Sequence, residues 1–138
     1  MTSCIARPTL RSVFLIDDNP ADNFLHRRVF ERSAIDADVR VFDNAAQALE
    51  ALRDPDQPLP DLVLLDLNMP HMSGWEFLEP FGAVVDELGA EIVVVVLTTS
   101  SDPADRNRAL ADRHVAGFES KPLTDEMLDE IAATHFQA

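Results

Sequence analysis

The chain has 138 residues, enough for one compact domain with a real core, and 46% of them are hydrophobic, an ordinary share for a folded soluble protein. Acidic residues outnumber basic ones 25 to 11, for a net charge of -14, and such a surface repels phosphate backbones, which argues against nucleic acid as a direct partner. No run approaches the roughly 18 apolar residues of a membrane helix, the opening "MTSCIARPTLRS" has no secretory apolar region, and the single cysteine, Cys4, excludes an internal disulfide, so the expected location is the cytoplasm.

In chain order, "SVFLID" (12–17) reads as a first strand. Asn19-Pro20 then supplies a cap and first helical position for a helix to about Arg32, with Phe24, Leu25, Val29 and Phe30 at helical spacing. "ADVRVFD" (37–43) is a second strand and the Asn-capped "NAAQALEALR" (44–53) a second helix. The prolines of "DPDQPLP" end that helix. "DLVLLD" (61–66) is the third strand, and Ser73 caps a third helix that Gly89 closes. "EIVVVVLTT" (91–99), the most apolar segment, predicts the most central strand. Asp102-Pro103 opens a fourth helix, "VAGFES" (115–120) is a fifth strand, and Leu123 to about Phe136 is a closing helix.

Five strand-then-helix units predict an α/β domain: a doubly wound parallel sheet with helices on both faces. Function in such sheets sits at the carboxyl ends of the strands. Those ends carry Asp17-Asp18, Asp43, Asp66, Thr98-Thr99 and, after the fifth strand, Lys121-Pro122. Crowded carboxylates raise one another's pKa unless a cation sits among them, and one or two carboxylates with carbonyl, water and phosphate oxygen are the habitual ligands of Mg²⁺.

"FLIDDNPAD", "LLDLNMPHMSG", "VVVLTTS" and "GFESKPL", in this order over nearly the whole chain, resemble the receiver domain of two-component response regulators. The resemblance implies a flavodoxin-like, five-stranded sheet of order 2-1-3-4-5, which sets the strands bearing Asp18 and Asp66 side by side. It implies that Asp66 is the phosphoacceptor, taking a phosphoryl group from a sensor histidine kinase or a histidine phosphotransfer protein. Mg²⁺ would be held by Asp18, Asp66 and the backbone carbonyl of Asn68, with Asp17 acting through water. Lys121 would pair with Asp66 and then with phosphoryl oxygens, Thr98 would hydrogen-bond one of those oxygens, and Phe118 would be the switch aromatic. The family's Lys–Pro bond at positions 121–122 is typically cis.

Counting back from Lys121 by the family's spacing reaches Thr99, whereas counting forward along "VVVLT" reaches Thr98 and leaves one extra residue in "ADRHVAG"; the role is assigned to Thr98. Phe118 stands where the family often has Tyr and so lacks a hydroxyl. His26, His71, His114 and His135 have no metal-ligand spacing and read as surface or packing residues, Trp75 as packing at a helix start, and the four glycines form no phosphate-cradling loop. Two other functions compete. A haloacid-dehalogenase-type phosphatase needs a second acid two residues past the nucleophile, where this chain has Asn68. A receiver-like interaction module that is never phosphorylated usually lacks one of the acids or the lysine, and all are present here. Residues 1–11 read as a tail and 12–138 as the receiver. The 17 residues after Lys121 (122–138) leave no room for an output domain. Output would then pass through contact with a downstream protein or onward phosphotransfer, and a homodimer would use the last strands and helices.

Overall fold

The computed structural model describes residues 9–136, so Cys4 and most of the predicted tail lie outside the described residues. Strands β1 (Ser12–Ile16), β2 (Asp38–Phe42), β3 (Leu62–Leu65), β4 (Val93–Thr98) and β5 (Val115–Ser120) alternate with helices α1 (Pro20–Arg32), α2 (Ala45–Arg53), α3 (Gly74–Leu88), α4 (Pro103–Ala111) and α5 (Asp125–His135). The five strands form one parallel sheet in the order β2-β1-β3-β4-β5.

Strand alternation assigns each side chain to a face. Phe14, Ile16, Val63, Leu65, Val94 and Val96 point to one core, closed by α2 and α3 through Ala48, Leu52, Phe77 and Phe81 and by Ala109 of α4. Val13, Leu15, Leu62, Leu64, Val95 and Leu97 point to the other, closed by Val29 and Phe30 of α1 and Leu128 and Ile131 of α5. Each fully buried Val, Leu, Ile or Phe stabilises the fold by about 1.5–3 kcal/mol relative to exposure. The strands are therefore apolar throughout because helices cover both faces.

The middle place belongs to β3, not to β4 as the apolar run at 91–99 predicts. Burial on two faces sets the composition of a strand, and β1, β3 and β4 share it equally, so hydrophobicity does not rank them. At the β4–β5 pair the register slips by one: Val94 faces Val115 but Val95 faces Gly117, leaving Ala116 unpaired.

The caps follow the sequence reading. Asn19 Oδ1 accepts from the Ala21 and Asp22 N–H groups, Asn44 from Gln47, Asp102 from Ala104, and Ser73 forms a capping box with Glu76. Gly89 closes α3 in the left-handed region at φ 61°. Pro80 lies inside α3 and forfeits one backbone hydrogen bond, yet the helix continues because Phe77, Leu78, Phe81, Val84 and Val85 all bury against the sheet.

Candidate functional site

Asp17, Asp66 and Lys121 each lie one residue beyond a strand, and the backbone of each is still tied into the sheet. The Asp17 N–H donates to the Phe42 carbonyl (3.0 Å), Asp66 to Ile16 (3.0 Å) and Lys121 to Thr98 (2.9 Å). These bonds fix three side chains rigidly at the carboxyl edge. One carboxylate oxygen each from Asp17, Asp18 and Asp66 falls within 4.8 Å of the others, with Asp17 and Asp66 buried and Asp18 half-buried.

The Lys121 ammonium, 8% exposed at its side chain, reaches into this group. Its Nζ is 2.6 Å from Asp17 Oδ2, 2.8 Å from Asp22 Oδ2 and 3.6 Å from Asp66 Oδ2. The lysine thus sits closest to two acids other than the one it is predicted to pair with. Burial alone would lower its pKa, but the hydrogen bonds to Asp17 and Asp22 outweigh that and hold it above the usual range. Burial pushes the Asp66 carboxyl up to about 6, and neighbouring Asp17 adds to the rise; Lys121 and the Asn68 N–H oppose it.

The loop after β3 is built around Asp66. Asn68 is exposed, and its N–H points at Asp66 Oδ1 at 3.4 Å. The Gly74 N–H donates to the Leu67 carbonyl (3.0 Å), which folds the start of α3 back on the loop. A Cβ on Gly74 would lie 2.5 Å from the Asp66 carbonyl oxygen, so close approach of backbone, rather than an unusual dihedral, requires glycine here. Thr98 ends β4 fully buried, its hydroxyl accepting from the Ser100 N–H (3.2 Å), while Thr99 is exposed. Phe118 is half-buried on β5, packed against the α2–α3 side of the core. The Lys121–Pro122 bond is cis. Asp43, the remaining acid at the edge, is exposed and outside the three-carboxylate group.

Three converging carboxylates, one of them driven toward its protonated form by burial and like charge, are a donor set that suits a hard divalent cation. The family model described as "Response regulator receiver domain" matches residues 13–133. The chain belongs to the response regulator receiver family. This receiver is 36% identical over 119 residues to the probable methanogenesis regulatory protein FilR2 of Methanothrix harundinacea, covering 84% of this chain and 75% of that protein. It is 29% identical over 119 residues to the sensor histidine kinase GacS of Pseudomonas protegens, of whose length it spans only 12%. Among solved structures, it superposes on a two-component response regulator from Cytophaga hutchinsonii with a TM-score of 0.81 at 27% identity, covering 91% of this chain and 96% of that one. The Mn²⁺-bound response regulator Rcp1 aligns with a TM-score of 0.77 at 28% identity over 93% and 96% of the two chains; Synechocystis is the source of the sequence relative of that name, 34% identical over 97 residues.

Two side chains of this receiver enter the site without having been singled out in the sequence. Asp22, in the first turn of α1, reads there as an ordinary dipole-compensating acid; that it faces Lys121, 99 residues away, is a tertiary fact. Asn23 is buried and donates from Nδ2 to the Asp17 carbonyl (2.8 Å), tying α1 to the end of β1. His26, one turn further along, is also buried, and its pKa is lowered chiefly by that burial. His114 packs its ring against Gly82 and lies 3.2 Å from Asp86 and 3.4 Å from Asp112, a packing role remote from the three-carboxylate group. His71 lies exposed in the loop after β3 with φ 69°.

Proposed function

We propose that this receiver accepts a phosphoryl group on Asp66 from the phosphohistidine of a sensor histidine kinase or a histidine phosphotransfer protein, in a Mg²⁺-dependent reaction. The observation that carries the reading is the placement of a buried carboxylate at the mouth of the sheet, within 4.8 Å of two further acids and 3.6 Å from a buried ammonium. The presence of a homologous segment in the sensor histidine kinase GacS, and the Mn²⁺ in the Rcp1 structure, support the donor and the metal respectively.

Asp18, Asp66 and the Asn68 carbonyl are the direct ligands in this reading, with Asp17 acting through water. When bound, the cation neutralises charge that develops on the phosphoryl oxygens during in-line transfer. An Asp66 oxygen forms the new O–P bond as the N–P bond of the donor breaks; the bonding pair returns to that nitrogen, and because the other ring nitrogen of the donor carries a proton, the histidine leaves as neutral imidazole. Asp66 must be ionised to attack, and a cation beside it favours that form. Lys121 supplies the second positive charge to the phosphoryl oxygens, and the Thr98 hydroxyl donates to one of them. Phe118 follows Thr98 inward, and that movement alters the surface offered by the last strands and helices to a downstream protein or a second copy of the chain. Moving such a population from 1:99 to 99:1 takes about 5.5 kcal/mol of differential stabilisation. Among the described residues no helix is long and apolar enough to cross a membrane. The reading also takes residues 12–138 as the receiver.

Intact-protein mass spectrometry after incubation with acetyl phosphate tests the proposal. A Mg²⁺-dependent gain of one phosphoryl group, absent in Asp66→Asn, is the expected result. Labelling that survives in the variant would move the acceptor to another residue.

A further inference from the structure

Lys121 is held by two short bonds to carboxylates that are not the acceptor, and one of them comes from α1. Its Nζ is 2.8 Å from Asp22 and 2.6 Å from Asp17, against 3.6 Å from Asp66. The Asp22 backbone has little freedom to follow the lysine. Its N–H bonds to Asn19 Oδ1 (3.2 Å), and the adjacent Asn23 side chain is fastened to the Asp17 carbonyl (2.8 Å), so the first turn of α1 is fixed to the end of β1. The Lys121 backbone is fixed as well, by its bond to Thr98. With both backbones fixed, the adjustment falls to the side chains, of which the lysine stem is the longer and more flexible.

We infer that Asp22 is a positioning residue for Lys121: it draws the ammonium just out of hydrogen-bond reach of Asp66, 3.6 Å from its Oδ2, and this bond must loosen before Lys121 can bond a phosphoryl group there. The inference rests on the proposed role of Asp66. A phosphoryl group brings up to two negative charges and three acceptor oxygens, enough to draw the ammonium across, but a contact made only in the resting arrangement weakens binding by the factor with which it favours that arrangement. Asp22 therefore opposes phosphoryl binding, and removing its charge strengthens it. Plain repulsion between Asp22 and an incoming anion has the same sign. The two differ in route, because the positioning effect passes through Lys121 and repulsion does not.

A double-mutant cycle separates them. Calorimetry would measure the affinity of the full chain for beryllofluoride, a stand-in for a phosphoryl group on a carboxylate, in excess Mg²⁺. The proteins are wild type, Asp22→Asn, Lys121→Met and the double variant, each checked for folding by circular dichroism. Asp22→Asn should tighten binding on the order of tenfold when Lys121 is present and less than about twofold when it is replaced. Equal tightening in both backgrounds, or none in either, overturns the inference and leaves the role of Asp66 standing. Failure of the wild type to bind overturns the reading of Asp66 and the inference with it. Wild type alone supplies a second measurement that does not depend on a variant folding. Nuclear magnetic resonance should find the Lys121 ammonium in contact with fluorine in the bound state, and an ammonium still bonded to Asp22 overturns the inference.

Discussion

The Cα of Gly74 packs against the backbone of Asp66 so closely that a methyl group there would meet the Asp66 carbonyl oxygen at 2.5 Å and the Leu67 Cα at 2.9 Å. Both obstacles are backbone, and the Asp66 N–H is itself held by the Ile16 carbonyl, so neither can move without moving the candidate acceptor. Gly74→Ala should therefore lower stability by about 1–3 kcal/mol and slow phosphorylation by acetyl phosphate at least tenfold through displacement of Asp66. Urea unfolding and the rate of mass gain measure the two effects. Wild-type values for both would show that the loop can relax around an added methyl.

The raised carboxyl of Asp66 makes a stability prediction of unusual sign. Its folded-state pKa of about 6 lies above the ordinary 3.8, so the native state holds the proton more tightly than the unfolded chain. That contribution is fully present below about pH 4 and is lost as pH rises through 6, amounting to about 2–3 kcal/mol. Urea midpoints in metal-free buffer should thus carry a component that falls between about pH 4 and pH 6, and Asp66→Asn should remove it and be the more stable protein near neutral pH. An unchanged slope in the variant would assign the raised carboxyl to another residue.

Asp18 contributes one of the three clustered oxygens and forms none of the short bonds to Lys121. Asp18→Ala should weaken Mg²⁺ binding at least tenfold, on the order of what the loss of a metal-supporting group costs, while altering thermal stability by less than about 1 kcal/mol. Calorimetric titration with Mg²⁺ checks it, and an unchanged affinity would contradict the proposed ligand set.

On the far side of α3, Gly82 leaves room for the His114 ring, whose Cε1 would lie 2.7 Å from an added Cβ. His114 and then Arg113 hold the Asp86 carboxyl below the usual range through hydrogen bonds. Gly82→Ala should push the ring off Asp86 and let the Asp86 pKa rise toward its ordinary value, the helix propensity of alanine offsetting the packing cost. Carboxylate titration by nuclear magnetic resonance follows this directly; a pKa unchanged from wild type would show that the ring accommodates the methyl.

Ten elements in alternation, their caps at Asn19, Asn44, Ser73 and Asp102, and the closing Gly89 were all legible in the chain, because capping and helix termination depend on residues within a turn of one another. So were the acids at the strand ends, since a polar residue at the end of an apolar run needs no knowledge of the fold to be noticed. β1 came out one residue shorter than its apolar run, at its carboxyl end, and β4 lost Glu91 and Ile92 at its start and Thr99 at its end, while β5 kept its bounds. Composition did not reveal the centrality of β3, because β1, β3 and β4 are all covered on two faces and composition records only that cover; the order 2-1-3-4-5 came through the family resemblance.

By itself, the sequence determined a parallel α/β sheet and the residue types gathered at its carboxyl edge, through periodicity and local chemistry. Tertiary structure alone decided how those residues share their charges. The 2.8 Å bond from Lys121 to Asp22 joins positions 99 residues apart, and the contact of Gly74 with Asp66 depends on a loop folding back upon its own strand. Distances of this kind arise only when crossover helices bring strand ends together, and electrostatic and steric energies at such separations change severalfold within an ångström or two.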